Sequence, residues 1–187
     1  VCSSDLEMDG PAVNQVIDDL KRLEHEGYHF EAADASLELL MRKAAGWTQS
    51  FFRVESMRVI TDELPNGDFT TEATVKVWVG EDTPNSGTGQ RHVHTAEGNG
   101  PVNALDVALR KDLGKYQKYI EGLKLIDYRV RILNGGTEAV TRVLIESTDE
   151  QGERWTTVGV SPNIIDASFQ ALMDSIVYKL VKAGAPA

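Results

Sequence analysis

Cysteine is almost missing from this chain of 187 residues, which contains only Cys2. One cysteine cannot form an intramolecular disulfide, so the chain is not one of the small proteins that are stabilised by disulfide bonds, and a cytoplasmic setting is expected. Long apolar runs are also missing, since none approaches the about 20 residues that a membrane-spanning helix needs. The first residues, VCSSDL, lack the basic and apolar segments of a signal peptide. Because the chain begins with Val and not Met, we expect a piece of a longer protein.

Positive charge is scarce as well. The chain has 19 Lys and Arg against 29 Asp and Glu, a net charge of -10, and no block rich in Lys or Arg. Nucleic acids and anionic membranes bind concentrated positive charge, so neither is an expected partner. Apolar residues make up 41% and charged residues 26%, which is typical of a globular protein with a buried core. The length fits one large or two small domains.

Residues 1–48 predict two amphipathic helices. Apolar residues recur at helical spacing from Val13 to Leu23 and again from Phe30 to Met41, and the second helix ends near Gly46. Pro11 suits the first turn of the first helix. Two helices of this size cannot form a core alone, so they must pack on the rest of the chain or on an upstream domain.

From Phe51 the apolar spacing changes to the alternation of β-strands. Strands are predicted at 51–61, 73–79 and about 90–95, with a hairpin turn at "NG" (66–67). A helix carrying Val102, Leu105, Leu109 and Leu113 follows the GNGP loop. The order recurs with strands at 126–132, 139–145 and 154–159 and a helix spanning 165–180. "GPVNALDVAL" also aligns with "NIIDASFQAL". The predicted fold class is therefore α+β, with two βββα units related by pseudo-twofold symmetry (about 49–123 and 124–187) after two linker helices.

The GNGP loop, from Gly98 to Pro101, admits two interpretations. A phosphate loop is excluded, because the third glycine position of GxGxxG holds Asn103 and no Lys follows. The loop either starts an ordinary helix, with Pro101 fixing the first turn, or presents free N–H groups to a small anion such as a carboxylate.

The triplet "HVH" places His92 and His94 on one face of a strand, a spacing that metal sites use. The acids considered as further ligands, Glu97 and Asp106, lie across a turn without a motif, and no Cys is near. We therefore predict no metal site, although a small metal-dependent enzyme using these histidines remains an alternative. No histidine follows His94, and Ser161 stands before a proline, so no catalytic centre is predicted either.

Five segments together carry a resemblance to a known family. They are "LEHEGYHFEAADASLELLMRK", "TVKVWVGE", "TAEGNGPVNALDVAL", "LIDYRVRIL" and "GVSPNIIDASFQALMDSIVYKL". From about Val13 onward the chain resembles the C-terminal part of the citramalate synthase branch of the 2-isopropylmalate synthase family. The resemblance implies a whole enzyme that condenses acetyl-CoA with pyruvate in an N-terminal TIM barrel holding a divalent metal. The metal-binding HxH of that barrel is a different motif from the HVH of this chain, and no cofactor is implied for this fragment.

The resemblance also implies the roles of the two parts of this chain. Residues 1–48 correspond to a linker subdomain, and residues 49–187 to an allosteric domain that forms a homodimer and binds the end-product amino acid. The implied effector is isoleucine, with leucine as the alternative; a difference of this size is worth only about 1–3 kcal/mol. A purely structural dimerisation domain that binds nothing is the third hypothesis. The implied effector positions are Gly98, Gly100, Val102, Leu125, Tyr128, Ile132, Ala139, Val160, Ser161 and Pro162.

Overall fold

The computed structural model describes residues 10–80, 89–133, 136 and 139–186. The VCSSDL start, nearly all of the predicted EDTPNSGTG loop and most of the NGG turn lie outside these residues. Among the described residues, none of the helices combines the length and apolarity that a membrane-spanning segment requires. The helices and strands, in chain order, are α1 (Gly10–Glu26), α2 (Asp34–Ala44), β1 (Phe52–Glu63), β2 (Phe69–Val79), β3 (Gln90–Gly98), α3 (Pro101–Arg110), α4 (Gln117–Ile120), β4 (Lys124–Ile132), β5 (Thr141–Thr148), β6 (Arg154–Ser161) and α5 (Ile164–Lys182).

The chain divides into two compact units. Among the described residues, the first-sheet unit comprises those within 49–122 and 179–186, and the second-sheet unit comprises those within 10–48 and 123–178. Each unit contains one antiparallel three-stranded sheet, in the orders β1-β2-β3 and β4-β5-β6. A helix follows the third strand in both cases, so the predicted pair of βββα units is confirmed.

In the first-sheet unit, one face of β2 is buried under α3. Val75 and Val77 on the strand and Leu105 and Leu109 on the helix are at most 1% exposed. The alternation of the strand and the helical period of α3 therefore meet in one core, as the sequence predicts. The helix ends at Arg110, one turn earlier than predicted, and the buried Leu113 follows it in a loop before the 3₁₀ turn Gly114–Tyr116.

In the second-sheet unit, the sheet is covered on both faces. The side chain of Thr157 donates to the Ala171 carbonyl of α5 on one face, at 2.7 Å. At the free edge of β6, the backbone N–H of Val158 donates to Ser36 Oγ of α2, at 3.0 Å, and on the other face Val158 and Val160 pack with the buried Phe30. The two N-terminal helices therefore belong with the second sheet of this chain, and this contact answers the question of what they pack on.

Two predicted boundaries are wrong. Phe30 lies in a separate 3₁₀ turn, Phe30–Ala32, and α2 begins only at Asp34, because Ala33 adopts an extended conformation with φ -140° and ψ 66°. Ala139 precedes β5 instead of lying on it. The ladder of β4 and β5 begins with Ile132 opposite Thr141, so the alternating buried face starts at that pair.

Candidate effector-binding site

The start of α3 is open to a ligand. Gly100 stands at the N-cap with Pro101 next to it, no side chain caps the helix, and the first turn has no acidic residue. The first backbone N–H groups of a helix have no partner within the helix, and its N-terminus carries partial positive charge. A side chain at Gly100 would point into open space, with no atom within 4 Å of its Cβ. The start of α3 therefore has N–H groups without a side-chain cap and open space beside Gly100.

Gly98 has a different role from Gly100. A Cβ at this position would lie 2.5 Å from the backbone nitrogen of Ala104, so the absent side chain lets α3 pack directly on the end of β3. The side-chain oxygen of Asn103 then accepts a hydrogen bond from the Asn99 N–H at 3.1 Å and holds the loop. Gly98 therefore positions the helix start, and Gly100 leaves the space beside it free.

The second helix start is closed by its own residues. Asn163 Oδ1 accepts a hydrogen bond from the Ile165 N–H at 2.9 Å, which is N-cap geometry. Ser161 Oγ in turn accepts from the Asn163 N–H at 3.1 Å, and Pro162 between them is exposed. The repeat is thus asymmetric, because only the α3 start leaves its amide groups without a side-chain cap.

The implied positions on the second sheet divide between its two faces. Strand pairing places Ile132, Thr141 and Ser161 side by side in one row, and Leu125 opposite Ser147 on the same, α5-covered face. Val160 lies on the opposite face, because neighbouring residues of a strand alternate. It packs against the cluster of Phe30, Ala33 and Val158. The structure therefore places Ile132 and Ser161 in one row with Thr141 between them, and places Val160 on the other face.

Tyr128 is anchored to α5 by its hydroxyl. The Ser168 hydroxyl donates its single proton to the Ile164 carbonyl at 2.6 Å, so Tyr128 donates to Ser168 Oγ at 2.8 Å. This fixes the ring on the face of β4 that α5 covers. Two residues of β4 near Tyr128 remain exposed although they are apolar: Val130 is 42% and Ile132 64% exposed. Both lie on the same face of β4 as Tyr128, because alternate residues of a strand share a face.

The two histidines lie in the first-sheet unit beside a residue that the sequence did not suggest. Glu97 is exposed, and Asp106 pairs with Arg110 one helical turn away, so neither serves the histidines. Asp112, after the end of α3, approaches instead, with its Oδ2 at 3.3 Å from His92 Nδ1. The Gly114 N–H donates to Asp112 Oδ1 at 2.7 Å and lowers the pKa of that carboxyl.

A cleft of about 460 Å³ lies between α2, β6 and α5 in the second-sheet unit. Ser36 donates to Asp174 at 2.7 Å, and Tyr28 donates to Gln170 at 3.0 Å, so these polar groups of its wall bond to one another. Burial raises the pKa of Asp174, and the Ser36 hydrogen bond opposes this only in part. No periodic pattern in the sequence marks this cleft, because it forms only when α2 packs on the sheet.

Comparison with known proteins identifies a domain family and several related enzymes. Residues 31–180 match the LeuA allosteric (dimerisation) domain. The chain is 50% identical to an (R)-citramalate synthase of Streptomyces coelicolor over 98% of its own length and 33% of that protein, and 49% identical to an (R)-citramalate synthase of Geobacter sulfurreducens over 92% and 32%. A 2-isopropylmalate synthase of Methanocaldococcus jannaschii is 34% identical over 47% of this chain and 16% of that protein.

The chain spans about a third of the length of the two citramalate synthases. The matched segment, residues 31–180, contains both sheets, α3 and nearly all of α5. The paired βββα units, the two helix starts and the match over most of the chain lead to one conclusion: this chain belongs to the LeuA allosteric (dimerisation) domain family.

Proposed function

We propose that this chain is the feedback-regulatory region of a citramalate synthase, which forms a homodimer and binds isoleucine. In the whole protein, an N-terminal catalytic barrel with a divalent metal would condense acetyl-CoA with pyruvate, and isoleucine bound to this region would lower that activity. Identity to citramalate synthases along almost the whole chain supports the assignment of the parent enzyme.

The observation that carries effector binding is the uncapped start of α3. Its N–H groups, with the open space at Gly100, suit the carboxylate of an amino acid. The implied apolar positions Tyr128 and Ile132 belong to the second-sheet unit, where Tyr128 is half-buried and Ile132 is exposed. Val160 and Ala139 are the weaker members of the implied set, since Val160 packs on the opposite face of its sheet and Ala139 precedes β5.

Calorimetric titration of the 187-residue chain with isoleucine, leucine and valine tests the proposal. We expect saturable heat from isoleucine and weaker binding of the other two, together with the mass of a dimer in light scattering. The absence of heat from all three amino acids would overturn effector binding and leave a purely structural dimerisation domain.

Leucine is the second candidate effector. The chain is similar to a 2-isopropylmalate synthase over 47% of its length, and leucine is the alternative effector that the resemblance to that family implies. Tighter binding of leucine than of isoleucine in the same titration would select this alternative.

A further inference from the structure

Three side chains with metal-binding atoms meet at the edge of the first sheet. His92 and His94 lie on the face of β3 that α3 covers, opposite Val77 and Val75 of β2. The loop after α3 brings Asp112 to them, and the candidate ligand atoms of all three residues lie within 4.8 Å of one another. The residues come from two separate segments, so the cluster is a product of the fold.

The histidines also carry an unmet bonding need. In the part of the chain that the structure describes, Nε2 of His92 and Nε2 of His94 are buried and have no hydrogen-bond partner. A buried polar atom left in this state costs about 1–3 kcal/mol, so such atoms normally have a role or a partner. Gly114 adds room beside them: its φ is +54°, and a Cβ there would lie 3.7 Å from His92 Nε2.

In the second repeat, the residues that correspond to His92 and Asp112 are hydrogen-bonded to each other. The alignment of "GPVNALDVAL" with "NIIDASFQAL", when it is extended without gaps in both directions, pairs His92 with Trp155 and Asp112 with Ser175. There the Trp155 indole N–H donates to Ser175 Oγ at 3.1 Å, and Ser147 bonds the same hydroxyl at 2.7 Å. The second repeat therefore has an indole and hydroxyl groups that bond to one another at this place, whereas the first repeat has two imidazoles and a carboxylate.

We propose that His92, His94 and Asp112 form a binding site for one divalent transition-metal ion, with Zn²⁺ as the best fit. Zinc takes imidazole nitrogen and carboxylate oxygen at about 2.0–2.2 Å, and a solvent molecule completes a tetrahedral site with three protein ligands. Mg²⁺ and Ca²⁺ prefer sites made only of oxygen ligands. The site is independent of the proposed effector function, and it departs from the sequence-based expectation that the chain has no metal site.

Two of the ligand atoms already have the required spacing. Ligand atoms of a tetrahedral zinc site lie about 3.3 Å apart, and His92 Nδ1 lies 3.3 Å from Asp112 Oδ2. In this site His92 would bind through Nδ1 and His94 through Nε2, one of the two nitrogens without a partner, and the two ring centroids lie 5.8 Å apart. Bound metal would tie the edge strand β3 to the loop after α3 and so stabilise the first-sheet unit.

The test uses the purified 187-residue chain after removal of metals with a chelator. We expect titration with Co²⁺ to give the visible absorption bands of a tetrahedral site, one Co²⁺ per chain, displaced by Zn²⁺. Thermal unfolding should shift upward with Zn²⁺ by roughly 5–10 °C at a hundred times the dissociation constant.

Three variants assign the site. His94→Gln and Asp112→Asn should each weaken Zn²⁺ binding at least 10-fold, and circular dichroism checks that both are folded. His29→Gln is the matched control, since this imidazole is 44% exposed and lies elsewhere, near Glu31. No Co²⁺ spectrum and no Zn²⁺-dependent stabilisation of the unmodified chain would overturn the proposal. Equal Zn²⁺ binding by the unmodified chain and both site variants, or an equal loss in the His29 variant, would also overturn it.

Discussion

Among variants at Gly100, a side chain that caps α3 should give higher stability than Ala but lower affinity for the effector. The position is extended, with φ 172° and ψ 174°, and a Cβ there meets no atom within 4 Å, so Ala, Asn and Asp fit without strain. Asn and Asp are good N-cap residues whose side chains accept hydrogen bonds from the first N–H groups of the helix. Ala cannot cap the helix and leaves those groups free.

The expected magnitudes follow from this geometry. Asn and Asp should each be more stable than Ala by about 0.5–2 kcal/mol, with the unmodified Gly close to the capped variants. Effector binding should be retained in Ala. The Asn side chain competes for the same N–H groups at a cost of about 0.5–1.5 kcal/mol, or roughly 2–13-fold in affinity. Asp adds repulsion between two carboxylates, about 4 kcal/mol at 4 Å, which is roughly three orders of magnitude.

Urea unfolding and isoleucine calorimetry on the same three variants measure both effects. The neutral Asn variant controls for the side chain itself, and the Ala variant controls for added volume. If the Asp variant binds isoleucine as tightly as the Ala variant, the effector carboxylate does not lie at the start of α3. If the Ala variant loses binding as completely as the Asp variant, crowding and not charge is the cause.

Three further predictions concern the scaffold. Gly159→Ala should lower the free energy of unfolding in urea by about 1–3 kcal/mol, because the added Cβ would overlap the backbone carbonyl of Ala167 in α5. A stability equal to that of Gly100→Ala would contradict this. Asp174→Asn should raise the free energy of unfolding at pH 7, and this gain should shrink as the pH falls toward 3.8. The reason is that burial raises the pKa of Asp174 in the folded chain, which opposes folding only at pH values where the Asp174 carboxyl of the unfolded chain is ionised. A difference in stability between the variant and the unmodified chain that does not change with pH would contradict this explanation. Arg91→Gln should return the pKa of Glu55 from about 2 toward its usual range in carboxyl NMR, since Arg91 donates two hydrogen bonds to that carboxylate; an unchanged pKa would show that other groups set it.

The regular elements could be predicted because their burial is periodic. One face of β2, which includes Val75 and Val77, lies under α3, so burial repeats every second residue and the sequence shows it directly. The hairpin at Asn66-Gly67 is equally local, because Gly67 adopts φ +86° at the turn. These signals need no knowledge of the rest of the chain.

The backbone conformation at Phe30 and Ala139 depends on contacts with distant segments, so it could not be predicted from the neighbouring sequence. Phe30 has the spacing of a helical residue, but it is buried in a separate 3₁₀ turn that packs with Val158. Ala139 continues the apolar alternation of β5 but lies before the strand pairing begins. In both cases the apolar pattern is real, and the packing of distant segments decides the backbone conformation.

The residues around the histidines show the same limit. Glu97 and Asp106 are the acids near the histidines in sequence, whereas Asp112 is near in space, since α3 ends at Arg110 and the loop after it approaches β3. The corresponding contact in the second repeat, between Trp155 and Ser175, is likewise visible only in the structure.

Thermal unfolding of the 187-residue chain at increasing isoleucine concentration tests effector binding most directly. A ligand that binds only the folded state adds about 2.7 kcal/mol at a hundred times its dissociation constant, which for a chain of this size raises the Tm by roughly 5–10 °C. We predict such a rise with isoleucine and a smaller one with valine at the same concentration. A Tm that stays constant up to the solubility limit of isoleucine would contradict the proposed regulatory function.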